Sequence, residues 1–258
     1  MALYQNRIVV KVGTSALTGE LGNTDLRAFD RISCVLSDIQ SMGYQVILVS
    51  SGAIAVGTNK LNMKARPGSM RLKQAAAAVG QCQIIFLYDK FFGDYDKTIA
   101  QILLSAEDIR QEEKKWNLQN TFDALLEMGI IPVVNENDSV SYTEIEGENR
   151  VFGDNDRLSA EVAVLTKASR LIILGESDGL TGPSGILTKV EAITDEIYAL
   201  AETQAGRKGG AGLKTKLQAA SIAGSHGIDT YILSGKKPEA IYDILEGKPA
   251  GTEFTGKK

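Results

Sequence analysis

The chain has 258 residues, 43% hydrophobic and 23% charged, with 28 Lys+Arg against 32 Asp+Glu and a net charge of −4. A chain this long buries roughly 70–75% of the surface its unfolded form exposes, so its core needs no metal or disulfide staple, and its acidic balance lacks the basic stripe of a general nucleic-acid binder. One histidine, His226, and two cysteines, Cys34 and Cys82, exclude most Ser-His-Asp, Cys-His and multi-histidine metal chemistries, which leaves Lys, Asp, Asn, Ser and backbone groups to carry any reaction.

The first predicted element is a strand over Arg7–Val12. Lys11 lies inside this otherwise apolar run, beside Gly13. A buried ammonium is costly unless an anion meets it, so Lys11 is a candidate phosphate contact and Gly13 a turn that lets the backbone approach closely. Thr24–Met42 shows helical spacing and stops at Gly43. The strand Gln45–Ser50 runs into Ser51 and Gly52, which open a helix and offer amide N–H groups and a hydroxyl to an anion. Met70–Phe92 reads as a helix rich in small and apolar residues that suit packing against a partner chain. The strand Ile99–Leu104 follows, then the helix Lys114–Met128 with Gly129 as its stop, then the strand Ile130–Val134, which ends in the polar run Asn135-Glu136-Asn137-Asp138.

From Ser139 to Phe152 the alternation predicts a β-hairpin turning at Gly147-Glu148-Asn149. It joins the first Asp/Asn cluster to a second, Gly153-Asp154-Asn155-Asp156, at the head of the helix Asn155–Lys167. Two such clusters joined by one hairpin suit a clamp on a small polar substrate. The strand Leu171–Leu174, a short hairpin over Leu180–Val190 and the Gly-rich stretch Ala205–Gly212 lead to the helix Leu213–His226. Lys214 and Lys216 in its first turn oppose the helix dipole unless a polyphosphate binds there. The strand Thr230–Leu233 and the helix Pro238–Glu246 complete the pattern.

This alternation predicts an α/β fold, a three-layer α/β/α sandwich around an open, mainly parallel sheet, with a β-hairpin near the substrate site. In such sheets ligands bind beyond the carboxyl ends of the strands. The cysteines read as buried free thiols of a reducing cytosol. No stretch approaches the ~20 apolar residues of a membrane span and no secretory pattern opens the chain. The expected location is the cytoplasm, with neither membrane nor nucleic acid as partner.

K-V-G-T-S at Lys11–Ser15, S-S-G-A-I-A-V-G at Ser50–Gly57, A-A-V-G-Q at Ala77–Gln81, V-N-E-N-D at Val134–Asp138, F-G-D-N-D at Phe152–Asp156 and T-K-L-Q-A-A at Thr215–Ala220 together resemble the glutamate 5-kinase group of the amino acid kinase family. The resemblance runs in order from Ile8 to Gly251-Thr252-Glu253-Phe254. It implies one amino acid kinase domain over residues 1–258, with an amino-acid-binding lobe over about 1–168 and a nucleotide-binding lobe over about 169–258. It implies the kinase domain without the C-terminal RNA-binding-like (PUA) module that many members append.

By the same resemblance, Lys11 and Lys216 contact the ATP phosphates and Asp156 holds both lysines, making these three the catalytic set. Ser51, Gly52, Asp138 and Asn155 bind glutamate. Lys11, Gly13, Gly175, Glu176, Gly210, Ala211, Gly212, Leu213, Lys214, Thr215 and Lys216 bind the nucleotide, with Mg²⁺ on the ATP phosphates and no metal ligand from the protein. The implied reaction makes an acyl phosphate from the L-glutamate side chain, the first step of proline biosynthesis. A carboxylate with reference pKa ≈ 4.3 is already ionised at pH 7, so no general base is needed. Proline as feedback inhibitor, a homo-oligomer and hand-off of the labile product to glutamyl phosphate reductase are implied as well. The nucleotide half departs from the family pattern: Gly175-Glu176 stands for Ser/Thr-Asp, Thr181-Gly182-Pro183-Ser184 shortens the next segment, and Gly209–Lys216 varies the phosphate loop. Two other readings stand beside this one, a catalytically weak amino-acid sensor and a kinase for another acceptor such as N-acetylglutamate, aspartate or a nucleoside monophosphate.

Overall fold

The computed structural model describes residues 2–19, 23–65, 67–140, 155–204 and 212–257. The first half runs β1 (Tyr4–Val12), α1 (Thr14–Leu17), α2 (Leu26–Ser41), β2 (Gln45–Ser50), α3 (Ala53–Lys60), α4 (Met70–Gly93), β3 (Ile99–Leu104), α5 (Ala106–Arg110), α6 (Glu112–Glu127) and β4 (Ile131–Glu136). The second runs α7 (Asn155–Leu165), β5 (Ala168–Gly175), β6 (Thr181–Gly182), β7 (Gly185–Ile186), β8 (Lys189–Val190), α8 (Asp195–Gln204), α9 (Leu213–Ser225), β9 (Asp229–Ser234), α10 (Ala240–Leu245) and β10 (Thr252–Phe254).

Eight strands form one sheet in the order β3-β4-β2-β1-β5-β9-β10-β8. Every pairing in it is parallel except β9 with β10. β1 lies inside the sheet with Val10 beside Leu48 of β2 and Ile172 of β5. A strand's side chains alternate between faces, and here each face has its own helices. Ile8, Val10 and Val12 join Val46, Leu48, Ile172 and Leu174 in a core with α2, α3, α4 and α10. Val9 joins Ile47, Val49, Leu171 and Ile173 in a second core with α6, α7 and α9. Two buried faces explain why these strands read as continuous apolar runs. The same alternation puts Lys11 on the Val9 face, toward α7 and α9.

α3 and α4 touch backbone to backbone. A Cβ at Gly57 would lie 1.8 Å from the Ala76 carbonyl oxygen, and one at Gly80 would lie 1.8 Å from that of Ala53. No side chain fits at either position, so the two glycines fix how far α4 sits along α3.

The six strands expected from the sequence all form, and the short hairpin over Leu180–Val190 appears as β6 paired antiparallel with β7. The Ser139–Phe152 hairpin falls almost wholly outside the described residues. Elements not foreseen are the short helices α1 and α5, α8, β10 and the antiparallel return at that edge. The cysteines are free but exposed, not buried as expected. On α2 the inward stripe is Phe29, Ile32, Val35, Leu36 and Ile39, and on α4 it includes Ala77, Ile84, Leu87 and Tyr88; Cys34 and Cys82 fall off these stripes. Among the described residues no helix is long and apolar enough to cross a membrane.

Candidate active site

Because β1, β2, β4, β5 and β9 run parallel, their carboxyl ends meet along one edge, where the loops are stitched together by backbone bonds. Gly13 N–H donates to Leu174 O (3.0 Å), Ser51 N–H to Val12 O (3.0 Å) and Gly235 N–H to Gly175 O (2.7 Å). Gly52, the N-cap of α3, has φ +102°, a conformation open to glycine at no steric cost.

α7 starts at this edge, and its first two residues face different groups. Asp156 is 2% exposed. One carboxylate oxygen meets the Lys11 ammonium from β1, and the other receives Lys216 Nζ from α9 at 3.0 Å and the Thr215 hydroxyl at 2.8 Å. Burial alone would raise the Asp156 carboxyl, but the Lys11 and Lys216 ammoniums outweigh it and hold it below the usual value. Lys216 also reaches Gly212 O at 3.3 Å. Its stem runs past Gly175, where a Cβ would lie 2.9 Å from Lys216 Cε; the glycine leaves the room the lysine occupies. Among the described residues, two ammoniums against one carboxylate give this cluster one positive charge in excess, beside the N-terminus of α9. That donor set suits phosphate oxygens. Among the described residues no group of three or more His, Cys, Asp or Glu side chains could hold a metal ion.

Asn155 faces the other way, into a chain of amides. Its Nδ2 donates to Ser50 O (3.0 Å), Ser51 Oγ (3.1 Å) and Asn135 Oδ1 (2.9 Å). Asn135, at the end of β4, donates from Nδ2 to Gln81 Oε1 of α4 (2.7 Å) and accepts the Glu136 N–H (2.9 Å). Behind them the Ser50 hydroxyl bonds the buried Tyr88 phenol at 3.2 Å, and burial drives that phenol well above its usual pKa. Asp138 follows β4 in the same polar run. Burial first, and the Glu136 carboxylate second, push its pKa up to about 6. With the Glu136 carboxylate close enough to raise Asp138, the end of β4 forms an acidic site suited to an ammonium group.

The structure therefore brings Lys11, Asp156 and Lys216 into one cluster and Ser51, Asn155 and Asn135 into another. Lys214 stands apart, exposed and paired with Glu202 at 3.2 Å. Leu213 is buried in a third apolar cluster with Leu180, Ala201 and Phe254, and Glu176 is exposed at the end of β5. Gly210 and Ala211 lie outside the described residues. Sequence reasoning assigned no part to Gln81, nor to Asn135 as the link between Gln81 and Asn155. Both sit inside the quoted runs A-A-V-G-Q and V-N-E-N-D, but nothing in their spacing marks them as partners.

The sequence pattern of the amino acid kinase family matches residues 6–234. Glutamate 5-kinase of Clostridium perfringens (strain 13 / Type A) is 48% identical over 259 aligned positions, spanning 98% of this chain and 96% of its own. That of Listeria innocua is 42% identical over 98% of this chain and 94% of its own, and that of Enterococcus faecalis 41% over 96% and 94%. Carbamate kinase from Giardia lamblia bound to AMP-PNP shares the fold, with TM-score 0.66 at 13% identity over 98% of this chain and 99% of that one. So does isopentenyl phosphate kinase of T. acidophilum in its product complex, with TM-score 0.62 at 17% identity over 96% and 99%. With relatives this similar along nearly their whole length, the chain belongs to the amino acid kinase family and, within it, to the glutamate 5-kinases, and it is a phosphotransferase.

Proposed function

We propose that the chain transfers the γ-phosphoryl group of ATP to the side-chain carboxylate of L-glutamate, giving L-glutamyl 5-phosphate and ADP, the first step of proline biosynthesis. The observation that carries this reading is the head of α7, where Asn155 joins the amide chain and the next residue, Asp156, joins the lysine cluster. One helix turn thereby ties an amino-acid pocket to a phosphate pocket at the spacing of adjacent residues. In this reading residues 1–168 supply the amino-acid lobe, with Lys11 reaching across, and 169–258 the nucleotide lobe.

Ser51, Gly52, Asp138 and Asn155 hold the amino acid. The Ser51 hydroxyl and the backbone at Gly52 meet its α-carboxylate, and Asp138 meets its α-ammonium, which separates an amino acid from a plain dicarboxylate. A side-chain carboxylate oxygen attacks Pγ, a new O–P bond forms, and the bond from Pγ to the bridging oxygen of ADP breaks. The nucleophile is already ionised, so the protein moves no proton. Its task is in-line positioning and neutralisation of negative charge. Lys11 and Lys216 aim their ammoniums at the phosphoryl oxygens, and Asp156 keeps both in place. Gly13, Gly175, Glu176 and the segment Gly210, Ala211, Gly212, Leu213, Lys214, Thr215 and Lys216 are assigned to the nucleotide, Leu213 through its backbone alone. As a glutamate 5-kinase the enzyme uses ATP with Mg²⁺; the lysine ammoniums suit phosphates already carrying that ion, whose chemistry is to offset their charge.

Proline inhibition at or near the glutamate site, a homo-oligomer, hand-off to glutamyl phosphate reductase and a cytoplasmic location belong to the same reading. The test is ADP release from ATP and Mg²⁺ with L-glutamate, L-aspartate, N-acetylglutamate or UMP as acceptor. L-glutamate is expected to drive turnover far above the others; a preference for any other acceptor refutes the assignment.

A further inference from the structure

We propose that Gln81 is a positioning residue that fixes the hydrogen-bond polarity of the amino-acid pocket, acting through Asn135 on Asn155. The proposal rests on the reading above, in which Asn155 and Ser51 touch the substrate.

Side-chain amides can be turned end for end, so their orientation has to be argued from groups that cannot. Here the chain of amides is anchored twice by backbone. Glu136 N–H can only donate, so the Asn135 atom 2.9 Å from it is the oxygen. Ser50 O can only accept, so the Asn155 atom 3.0 Å from it is the nitrogen. These anchors agree with the bond between them, Asn155 Nδ2 to Asn135 Oδ1 at 2.9 Å. They also settle the far end: Asn135 presents its nitrogen to Gln81, whose Oε1 accepts at 2.7 Å.

The consequence lies in what is left over. Asn155 has spent its N–H groups on Ser50, Ser51 and Asn135, so toward a ligand it offers only Oδ1, an acceptor matched to an ammonium. Ser51 Oγ accepts from Asn155, so its proton is available to donate, matched to a carboxylate. A zwitterionic amino acid carries one group of each kind. Gln81 closes the chain by taking the donor that Asn135 would otherwise bury without a partner, Asn135 being 2% exposed. Lacking that acceptor, the Asn135 amide gains by turning toward other partners, and Asn155 loses the oxygen that fixes its own orientation.

A separate observation places Gln81 firmly enough for this task. Its neighbour Gly80 packs on the Ala53 carbonyl so closely that a Cβ would stand 1.8 Å away. The α3–α4 crossing therefore sets the position of Gln81 relative to Ser51, which precedes α3. The Gly80 contact sits one residue from the Gln81 side chain, and Ala53 two residues from Ser51.

The experiment measures steady-state kinetics and glutamate titration calorimetry on the full chain carrying Gln81→Leu, Gln81→Glu, Asn135→Leu and the double variant Gln81→Leu/Asn135→Leu, with thermal midpoints alongside. Gln81→Leu is expected to raise the glutamate KM about tenfold, the size of one lost buried hydrogen bond, with the ATP KM unchanged. Gln81→Glu keeps an acceptor oxygen and is expected to recover most of that loss. In the Asn135→Leu background, Gln81→Leu is expected to add nothing further, because a residue acting through another shows no effect once its partner is gone. Unchanged KM in Gln81→Leu, additive effects in the double variant, or a Gln81→Glu enzyme weaker for glutamate than Gln81→Leu would each overturn the proposal, the last by showing that Gln81 donates to the substrate directly. If Gln81→Leu fails to fold, Asn135→Leu alone still decides, since it breaks the same relay: a raised glutamate KM and dissociation constant with the ATP KM unchanged supports the proposal, and glutamate affinity equal to that of the unaltered enzyme overturns it. No glutamate turnover by the unaltered enzyme would overturn the substrate assignment itself, a result distinct from failure of the relay in an active enzyme.

Discussion

Replacing Asp156 by Asn removes a charge and little else, and the structure sets the size of the effect. The side chains of Asp156, Lys11 and Lys216 are 2%, 6% and 10% exposed, so water screens the cluster poorly. Removing one partner of a buried pair costs about 3–5 kcal/mol, because the charge left behind stays desolvated. Here one substitution strands two ammoniums. At about 2–4 °C per kcal/mol for a chain of this size, the thermal midpoint of Asp156→Asn should fall by roughly 6–20 °C. The stranded cations should also bind anions more tightly, so phosphate or ATP should raise the midpoint of the variant more than that of the unaltered protein. Turnover should drop about 10²–10³-fold, as when a group aimed at developing charge is lost. The folded-state pKa of Asp156 is depressed, so its stabilisation is fully present above the unfolded value near 3.9 and is lost as pH falls through the lower folded one. The midpoint gap between the two proteins should therefore persist at neutral pH and close in acid. Thermal unfolding followed by circular dichroism, with and without phosphate, gives the stability arm, and ADP release gives the other. A midpoint within about 2 °C of the unaltered protein, with normal turnover, would refute the ion cluster.

Lys11→Ala and Lys216→Ala should each lower kcat about 10²–10³-fold while moving the glutamate KM little; a normal kcat with a large midpoint drop would make them structural. Asp138→Ala should raise the glutamate KM at least ~30-fold, the low end of losing a buried charge contact, and leave the ATP KM near its original value. In the unaltered enzyme the glutamate KM should climb as pH falls through about 6, because the raised Asp138 carboxyl takes up its proton there and a neutral acid no longer attracts an ammonium; a flat profile between pH 5 and 7 in buffers of constant ionic strength contradicts the assignment. Gly57→Ala and Gly80→Ala each place a carbon 1.8 Å from a carbonyl oxygen, so either should cost more than ~3 kcal/mol, the upper range for overpacking, read as a midpoint fall or loss of folded protein.

The sheet was legible because its strands are buried on both faces, so apolar runs such as Ile8-Val9-Val10 and Val46–Val49 leave no ambiguity about burial. Lys11 stands out within β1 because a lone ammonium there needs a counter-charge. Its partners were legible only as candidates: the sequence places Asp156 and Lys216 near helix starts, and the fold alone makes them meet. Lys214 and Lys216 look alike in sequence, yet a two-residue step along α9 turns one to Glu202 and the other to Asp156. The amide chain left no periodic trace, since Gln81 and Asn135 are 54 residues apart and Asn135 and Asn155 a further 20. β10 is three residues long, too short for alternation to show, and it is recognisable only by its pairing, antiparallel to β9 and parallel to β8. The exposed cysteines show the opposite failure: residue type suggested burial, while the helical stripe on which each lies decided against it.

The most direct test of the central claim, that the lysine cluster and the amide pocket together make an acyl phosphate, is hydroxylamine trapping of the product formed from L-glutamate, ATP and Mg²⁺. The unaltered protein should yield glutamyl hydroxamate in amounts matching ADP released, and Lys216→Ala, compared per folded molecule, should yield about 10²–10³-fold less with its glutamate affinity retained. ADP release without hydroxamate, or equal hydroxamate from the folded variant, would contradict the account.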